Sequence, residues 1–139
     1  MIAVDTNVIA YLFLRGVFAA QAEEWLKADR EWVAPVLWRS ELRNLLAGYL
    51  RRKQLTFEGM REIQREAEAL LIGNEHEVDS QRVLELVRDS DCSAYDCEFV
   101  SVAMRLGVKL LTADKKVLKA FPEHTVAFSG SSGFRVGSC

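Results

Sequence analysis

The chain has 139 residues, half of them hydrophobic, with 18 Lys and Arg against 20 Asp and Glu. That is room for one domain, which at this size buries roughly 68–70% of the surface its unfolded chain exposes. The formal charge of −2 argues against a strongly basic nucleic-acid coat, though not against an enzyme that acts on nucleic acid.

In chain order, "MIAV" reads as a short buried strand and "TNVIAYLF" as a helix broken near Gly16. "FAAQAEEWLKAD" predicts a second helix, and "EWVAP" a strand stopped by Pro35. A long helix is expected from Pro35 to Lys53, with Trp38, Leu42, Leu45 and Tyr49 at core spacing. Thr56 caps a helix running to about Leu71, and the acidic connection "IGNEHEVD" leaves room for a short strand near Val78. Ser80 to Ser90 is helical. Ser93 opens a further helix, with Tyr95, Phe99, Val102 and Leu106 on one face and Gly107 at its end. "VKLLTAD" is a strand, "KKVLKAF" one or two helical turns, and "TVAF" a last strand.

Strands that are continuous apolar runs, alternating with helices, predict a parallel sheet covered on both faces. One domain over residues 1–128 is expected. The Gly- and Ser-rich stretch 129–139 is expected to be a disordered tail. Three cysteines without a CxxC pair point to a reducing compartment, and two histidines without ligand spacing make zinc a poor fit. No apolar run approaches the roughly 18 residues of a membrane span. The N-terminus has neither the charged start nor the cleavage site of a signal peptide. The expected compartment is the cytoplasm.

Four carboxylates stand out. Asp5 follows "IAV" and Asp114 follows "LLTA", at the carboxyl ends of strands, where open α/β sheets build their sites. Glu41 borders the apolar stripe of the long helix, and Asp96 lies three residues after Ser93. Each has an ordinary structural explanation: Asp5 and Asp114 as helix caps, Ser93 with Asp96 as a capping box, Glu41 as a complement to the helix dipole. Together they raise a physical problem. Two carboxylates about 5 Å apart repel by ~3 kcal/mol at an effective dielectric near 20, so four converge only with raised pKa values or a cation. All-oxygen ligands suit Mg²⁺ or Mn²⁺. Such a metal activates water and stabilises a phosphoryl group, which makes phosphodiester hydrolysis the natural chemistry.

The segments "VDTNVIAYLF", "SELRN" at 40–44 and "SAYDCEFVSVAMRLGVKLLTAD" at 93–114 resemble the PIN domain family, most of all the toxins of VapBC-type toxin–antitoxin pairs. The resemblance covers about residues 1–128. It implies a PIN-like three-layer α/β/α sandwich with a central parallel sheet, and a ribonuclease dependent on Mg²⁺ or Mn²⁺. It assigns catalysis and metal binding to Asp5, Glu41, Asp96 and Asp114, with in-line attack of water and a 5′-phosphate product. Thr6 or Asn7 would orient Asp5 or the water, and Thr112 would hydrogen-bond across the site or serve as an ordinary strand residue. It also implies an antitoxin lying along a groove, for which the strip Val8–Phe13 with Phe18 and Trp25 is a candidate wall, and a homodimer formed through helices.

Glu98 departs from the family pattern. It reads as solvated rather than as a fifth ligand, because residues two apart on a helix do not share a face. Cys92 and Cys97 read as small packing residues. Arg43, beside Glu41, and Lys115, after Asp114, are candidate phosphate contacts, with Arg39, Arg15, Lys116 and Lys119 as weaker ones. Phosphatases that begin with D-x-D after the first strand are disfavoured, because Asn7 occupies the second position. The alternatives from other classes are a non-catalytic PIN-fold module that binds nucleic acid or protein, and a PIN nuclease processing structured RNA or DNA outside a toxin system.

Overall fold

A computed structural model describes residues 1–129. The expected disordered tail therefore lies, from residue 130 onward, outside the described residues.

Five strands form a parallel sheet: β1 (Ile2–Val4), β2 (Trp32–Pro35), β3 (Glu75–His76), β4 (Leu110–Thr112) and β5 (Thr125–Ala127). Seven helices lie between them: α1 (Thr6–Phe13), α2 (Ala19–Ala28), α3 (Trp38–Arg51), α4 (Phe57–Leu70), α5 (Ser80–Arg88), α6 (Ala94–Leu106) and α7 (Lys115–Ala120). The strand order is β3-β2-β1-β4-β5. The chain winds outward from β1 to β3, then crosses back to place β4 on the other side of β1. Strand order therefore reverses between β1 and β4, where a crevice opens outside their carboxyl ends. Register pairs Ala3 with Val33 on one side and Val4 with Leu111 on the other. The three-layer α/β/α sandwich expected from the sequence is the one observed.

Burial explains the runs. Ala3, Val4, Val33, Ala34 and Leu111 are fully buried, so consecutive strand residues meet apolar cover on both faces. Helix α6 packs on β1, β2 and β4 and against α5. It buries Cys97, Phe99, Val100, Ser101, Val102 and Ala103, more than one face of the helix. Cys92 and Cys97 are buried free thiols, as their packing role requires. Gly107 closes α6 with φ of 67°, a left-handed turn that suits glycine.

Four local expectations are corrected. The long helix starts at Trp38, because Pro35 ends β2 and a turn intervenes. Its buried line runs Trp38, Leu42, Leu46, with Leu45 and Tyr49 only half-buried. The short strand is Glu75–His76 rather than near Val78, fixed by pairing with Ala34 and Pro35. Tyr95 does not share the buried face of Phe99, being 61% exposed.

The apolar strip of α1 and α2 is largely used within the fold. Val8, Ile9 and Ala10 are buried, and Tyr11 meets Phe18 and Phe128 in tilted ring contacts with centroids 4.9 and 5.2 Å away. Trp25 Nε1 and Gln21 Nε2 each donate to the Phe128 carbonyl at 2.7 Å. This strip is internal packing more than the open wall expected for a partner.

Candidate active site

All four carboxylates line one open cleft of about 410 Å³. The end of β1 supplies Asp5, β4 supplies Leu110 and Thr112, and α3 supplies Ser40, Glu41, Asn44 and Leu45. The first turns of α6 supply Tyr95, Asp96 and Phe99, and α7 adds Asp114 and Val117.

Each acid is placed by the local rule that would also explain it away. Asp5 leaves β1 in extended conformation and caps α1, its Oδ1 accepting from Val8 N–H at 3.0 Å. Its other oxygen accepts a hydrogen bond from the Thr112 hydroxyl. Asp114 caps α7, Oδ1 accepting from the N–H groups of Lys116 and Val117 at 2.9 and 3.4 Å. Ser93 caps α6 by accepting from Asp96 N–H at 3.1 Å, which sets Asp96 in the first turn. Glu41, in the first turn of α3, accepts from the Thr6 hydroxyl at 2.6 Å. Capping and site-building are one arrangement.

The electrostatics tie the four together. Burial, reinforced by the charges of Asp114 and Glu41, lifts the Asp5 carboxyl from 3.8 to about 6, against the pull of the Thr112 and Val8 hydrogen bonds. Burial and then Asp96 raise Glu41, opposed by Thr6. Burial and then Asp114 raise Asp96. The repulsions run Asp5–Asp114–Asp96–Glu41 and back to Asp5, a closed ring of negative charge.

A hard divalent cation fits this ring by chemistry: the donors are carboxylate oxygens whose charges destabilise one another. As they stand, no three Asp, Glu, His or Cys side chains among the described residues are gathered on one point that would hold an ion. Glu41, Asp5 and Asp114 each accept a hydrogen bond, from Thr6, Thr112 and the N-terminus of α7.

The PIN domain model matches residues 2–123. The chain belongs to the PIN domain family. Several solved structures share this PIN fold at low identity. A toxin–antitoxin complex from Klebsiella pneumoniae is 19% identical, covering 92% of this chain and 98% of that one, with a TM-score of 0.68. PAE2754 from Pyrobaculum aerophilum is 18% identical over 91% of this chain and 89% of its own, with a TM-score of 0.73. FitAcB from Neisseria gonorrhoeae is 16% identical over 90% and 96%, with a TM-score of 0.71. No curated protein matches the chain.

Around this PIN cleft, several sequence expectations are refined. Thr6 bonds Glu41 and not Asp5, whereas Thr112 bridges Asp5 and the backbone N–H of Asp114. Asn7 lines the cleft, as do Ser40, Asn44 and Tyr95, which residue chemistry alone did not mark. Asn44 was readable in principle, lying one turn beyond Glu41. Glu98 does not line the cleft, but it is half-buried and raised by burial and by Glu41, so it is not simply solvated. Arg39 is removed from the phosphate-contact candidates. Its guanidinium clamps Glu75 through Nε and Nη2, both at 2.6 Å, and Glu68 through Nη1 at 2.9 Å. Arg43 is exposed and borders a separate groove between α3 and α4. Lys115 is exposed and does not line the cleft, whereas the charge of Lys116 reaches Asp96.

Proposed function

We propose that this PIN domain, residues 1–128, is a metal-dependent endoribonuclease and the toxin of a toxin–antitoxin pair. One observation carries the reading: carboxylates from four separate chain segments line one cleft at the carboxyl edge of the sheet. Asp5, Asp96 and Asp114, with Glu41, would hold Mg²⁺ or Mn²⁺ directly or through water, and such a cation supplies activation of water and stabilisation of phosphoryl charge.

The chain's own groups do the positioning. Thr112 fixes one Asp5 oxygen while accepting from the N–H of Asp114, so the two strand-end acids share one strut. Thr6 fixes Glu41 from the neighbouring helix. Asn7 supplies an amide at the cleft for substrate or water. Lys115 and Lys116, beside Asp114, would supply positive charge near the cleft for a polyanion, and Arg43 would do so from the separate groove between α3 and α4.

An antitoxin partner is part of the proposal, supported by the fold shared with a Klebsiella structure described as a toxin–antitoxin complex. So is a homodimer formed through helices. A cytoplasmic setting goes with the buried free thiols Cys92 and Cys97; among the described residues no helix is long and apolar enough to cross a membrane.

The test is RNA cleavage by the purified protein with Mn²⁺, with EDTA, and with Asp96→Asn. The reading requires cleavage with metal, leaving 5′-phosphate ends, and losses of at least roughly a hundredfold in the other two arms. Equal cleavage in EDTA or by the variant contradicts it.

A further inference from the structure

Two buried thiols near the acid cleft serve neither as helix caps nor as ligands to a cation. Cys92 is 5% exposed, Cys97 is fully buried, and both are free. Neither lines the cleft. Ser93 is the N-cap of α6, so Cys92 precedes the cap and Cys97 is the fourth helical residue. Those are the two positions of a hydrophobic staple, whose side chains pack against each other across the helix entrance. Here both halves of the staple are thiols.

One hydroxyl joins the pair. Ser90 Oγ lies 3.9 Å from Cys97 Sγ, accepts from the Cys92 N–H at 3.2 Å and donates to the Leu86 carbonyl at 2.7 Å. The two thiols are close enough to act on one another electrostatically, and the Ser90 hydroxyl acts on both. Asp96 falls between the staple positions, in the first turn of α6. The Cys92 thiol also faces the Lys116 carbonyl at 4.0 Å, in the helix that Asp114 caps. The pair therefore links the two elements that carry Asp96 and Asp114.

We propose that Cys92 and Cys97 are a dithiol that hydrogen peroxide oxidises to a disulfide, and that this bond weakens the cation site. The bond itself is independent of the reading above; its effect on the site rests on that reading. One sulfur, as thiolate, attacks the peroxide O–O bond. It keeps one oxygen as a sulfenic acid, and the other oxygen leaves as water with the thiol's proton. The second sulfur then displaces the sulfenic hydroxyl, which leaves as a second water with the second proton. Two thiols thus lose two electrons and two protons, and one peroxide becomes two waters. Burial raises both thiols, which slows the first step. The second thiol beside the first captures the sulfenic acid before it oxidises further. Closing the sulfurs to about 2.05 Å draws the chain before Ser93 toward α6 and off the Lys116 carbonyl, shifting Asp96 against Asp114.

The experiment uses the full chain with Cys139→Ser, which leaves Cys92 and Cys97 as its thiols. Samples treated with hydrogen peroxide or with dithiothreitol are mapped by mass after trypsin and melted in Mn²⁺ and in EDTA. Both thiols fall in one tryptic peptide, residues 89–105. After peroxide that peptide is expected to lose two hydrogens and to resist alkylation, and to recover on reduction. Oxidation of Met104 in the same peptide adds oxygen instead. The oxidised protein is expected to lose roughly half or more of the Mn²⁺-induced rise in midpoint that the reduced protein shows. Cys92→Ala and Cys97→Ala, whichever folds, should keep the full rise after peroxide. A peptide left as the dithiol, or oxidised only to sulfinic or sulfonic acid, overturns the proposal. So does a disulfide that leaves the Mn²⁺ rise unchanged. A reduced protein that ignores Mn²⁺ overturns the cation-site reading, and the switch falls with it.

Discussion

The Thr6 hydroxyl donates to Glu41 Oε1 at 2.6 Å, joining the first turn of α1 to the first turn of α3 across 35 residues of sequence. Thr6 is almost fully buried and Glu41 is half-buried. The bond therefore sits where losing a donor leaves a carboxylate poorly solvated. Thr6→Val keeps the shape and removes the donor. A hydrogen bond to a charged group is worth roughly 1.5–3 kcal/mol, so the variant should lose about 2 kcal/mol at neutral pH. Thr6→Ser should retain most of it. Urea titrations of the three proteins check this, and equal midpoints for Thr6→Val and wild type would contradict it.

Asp5 makes a prediction with a definite sign. Its carboxyl rises from 3.8 to about 6 on folding, so the folded state binds the proton more tightly than the unfolded chain. Without metal, this acid's contribution to stability is most favourable in acid and falls as pH rises from about 4 to about 6. A rise of that size costs on the order of 3 kcal/mol at pH 7. Asp5→Asn should therefore melt higher than wild type in EDTA at pH 7.5, with the gap shrinking toward pH 4. Part of the gain is offset by a weaker bond to Thr112. Metal must also displace the proton, so Mn²⁺ affinity should climb as pH rises through about 6.

Arg39 contributes to the fold from outside the cleft. It clamps β3 and α4 to the helix that carries Glu41, through Glu75 and Glu68. The Arg39 hydrogen bonds hold the Glu75 carboxyl below its ordinary 4.5 against a smaller opposing effect of burial. That stability is present above the ordinary carboxylate range and is lost as pH falls. Arg39→Met leaves two partly exposed carboxylates without their cation and should cost about 1–2 kcal/mol at pH 7, less than a fully buried pair because solvent screens it, a gap that closes on acidification. Thermal melting between pH 3.5 and 7.5 measures it, and a pH-independent gap would show that packing alone is involved.

The contrast between these residues shows what a sequence makes readable. Asp5 and Asp114 were visible because an acid at the end of an apolar strand run obeys two rules at once, capping and the placement of sites at strand ends. Asp96 was visible through Ser93, three residues away. The pairings Thr6–Glu41, Thr112–Asp5 and Arg39–Glu75 were not, since they join residues 35, 107 and 36 positions apart. Only the packed sheet sets those partners. The strand Glu75–His76 was misplaced for the same reason: two residues carry no periodicity, and pairing with Ala34 and Pro35 alone defines them. Helical spacing assigns Tyr95 to the face of Phe99, but it is 61% exposed, because spacing gives a direction and cannot tell a core from the rim of a cleft.

The central claim is that Asp5, Glu41, Asp96 and Asp114 act as one divalent-cation site. Its most direct measurement is thermal melting of wild type and Asp96→Asn, each with Mn²⁺ and with EDTA. Binding to the folded state raises the midpoint by mass action, so wild type should gain several degrees in millimolar Mn²⁺ and Asp96→Asn much less. In EDTA the variant should melt no lower than wild type, because one charge of the repelling ring is gone. A wild type whose midpoint ignores Mn²⁺ up to millimolar concentrations would contradict the claim.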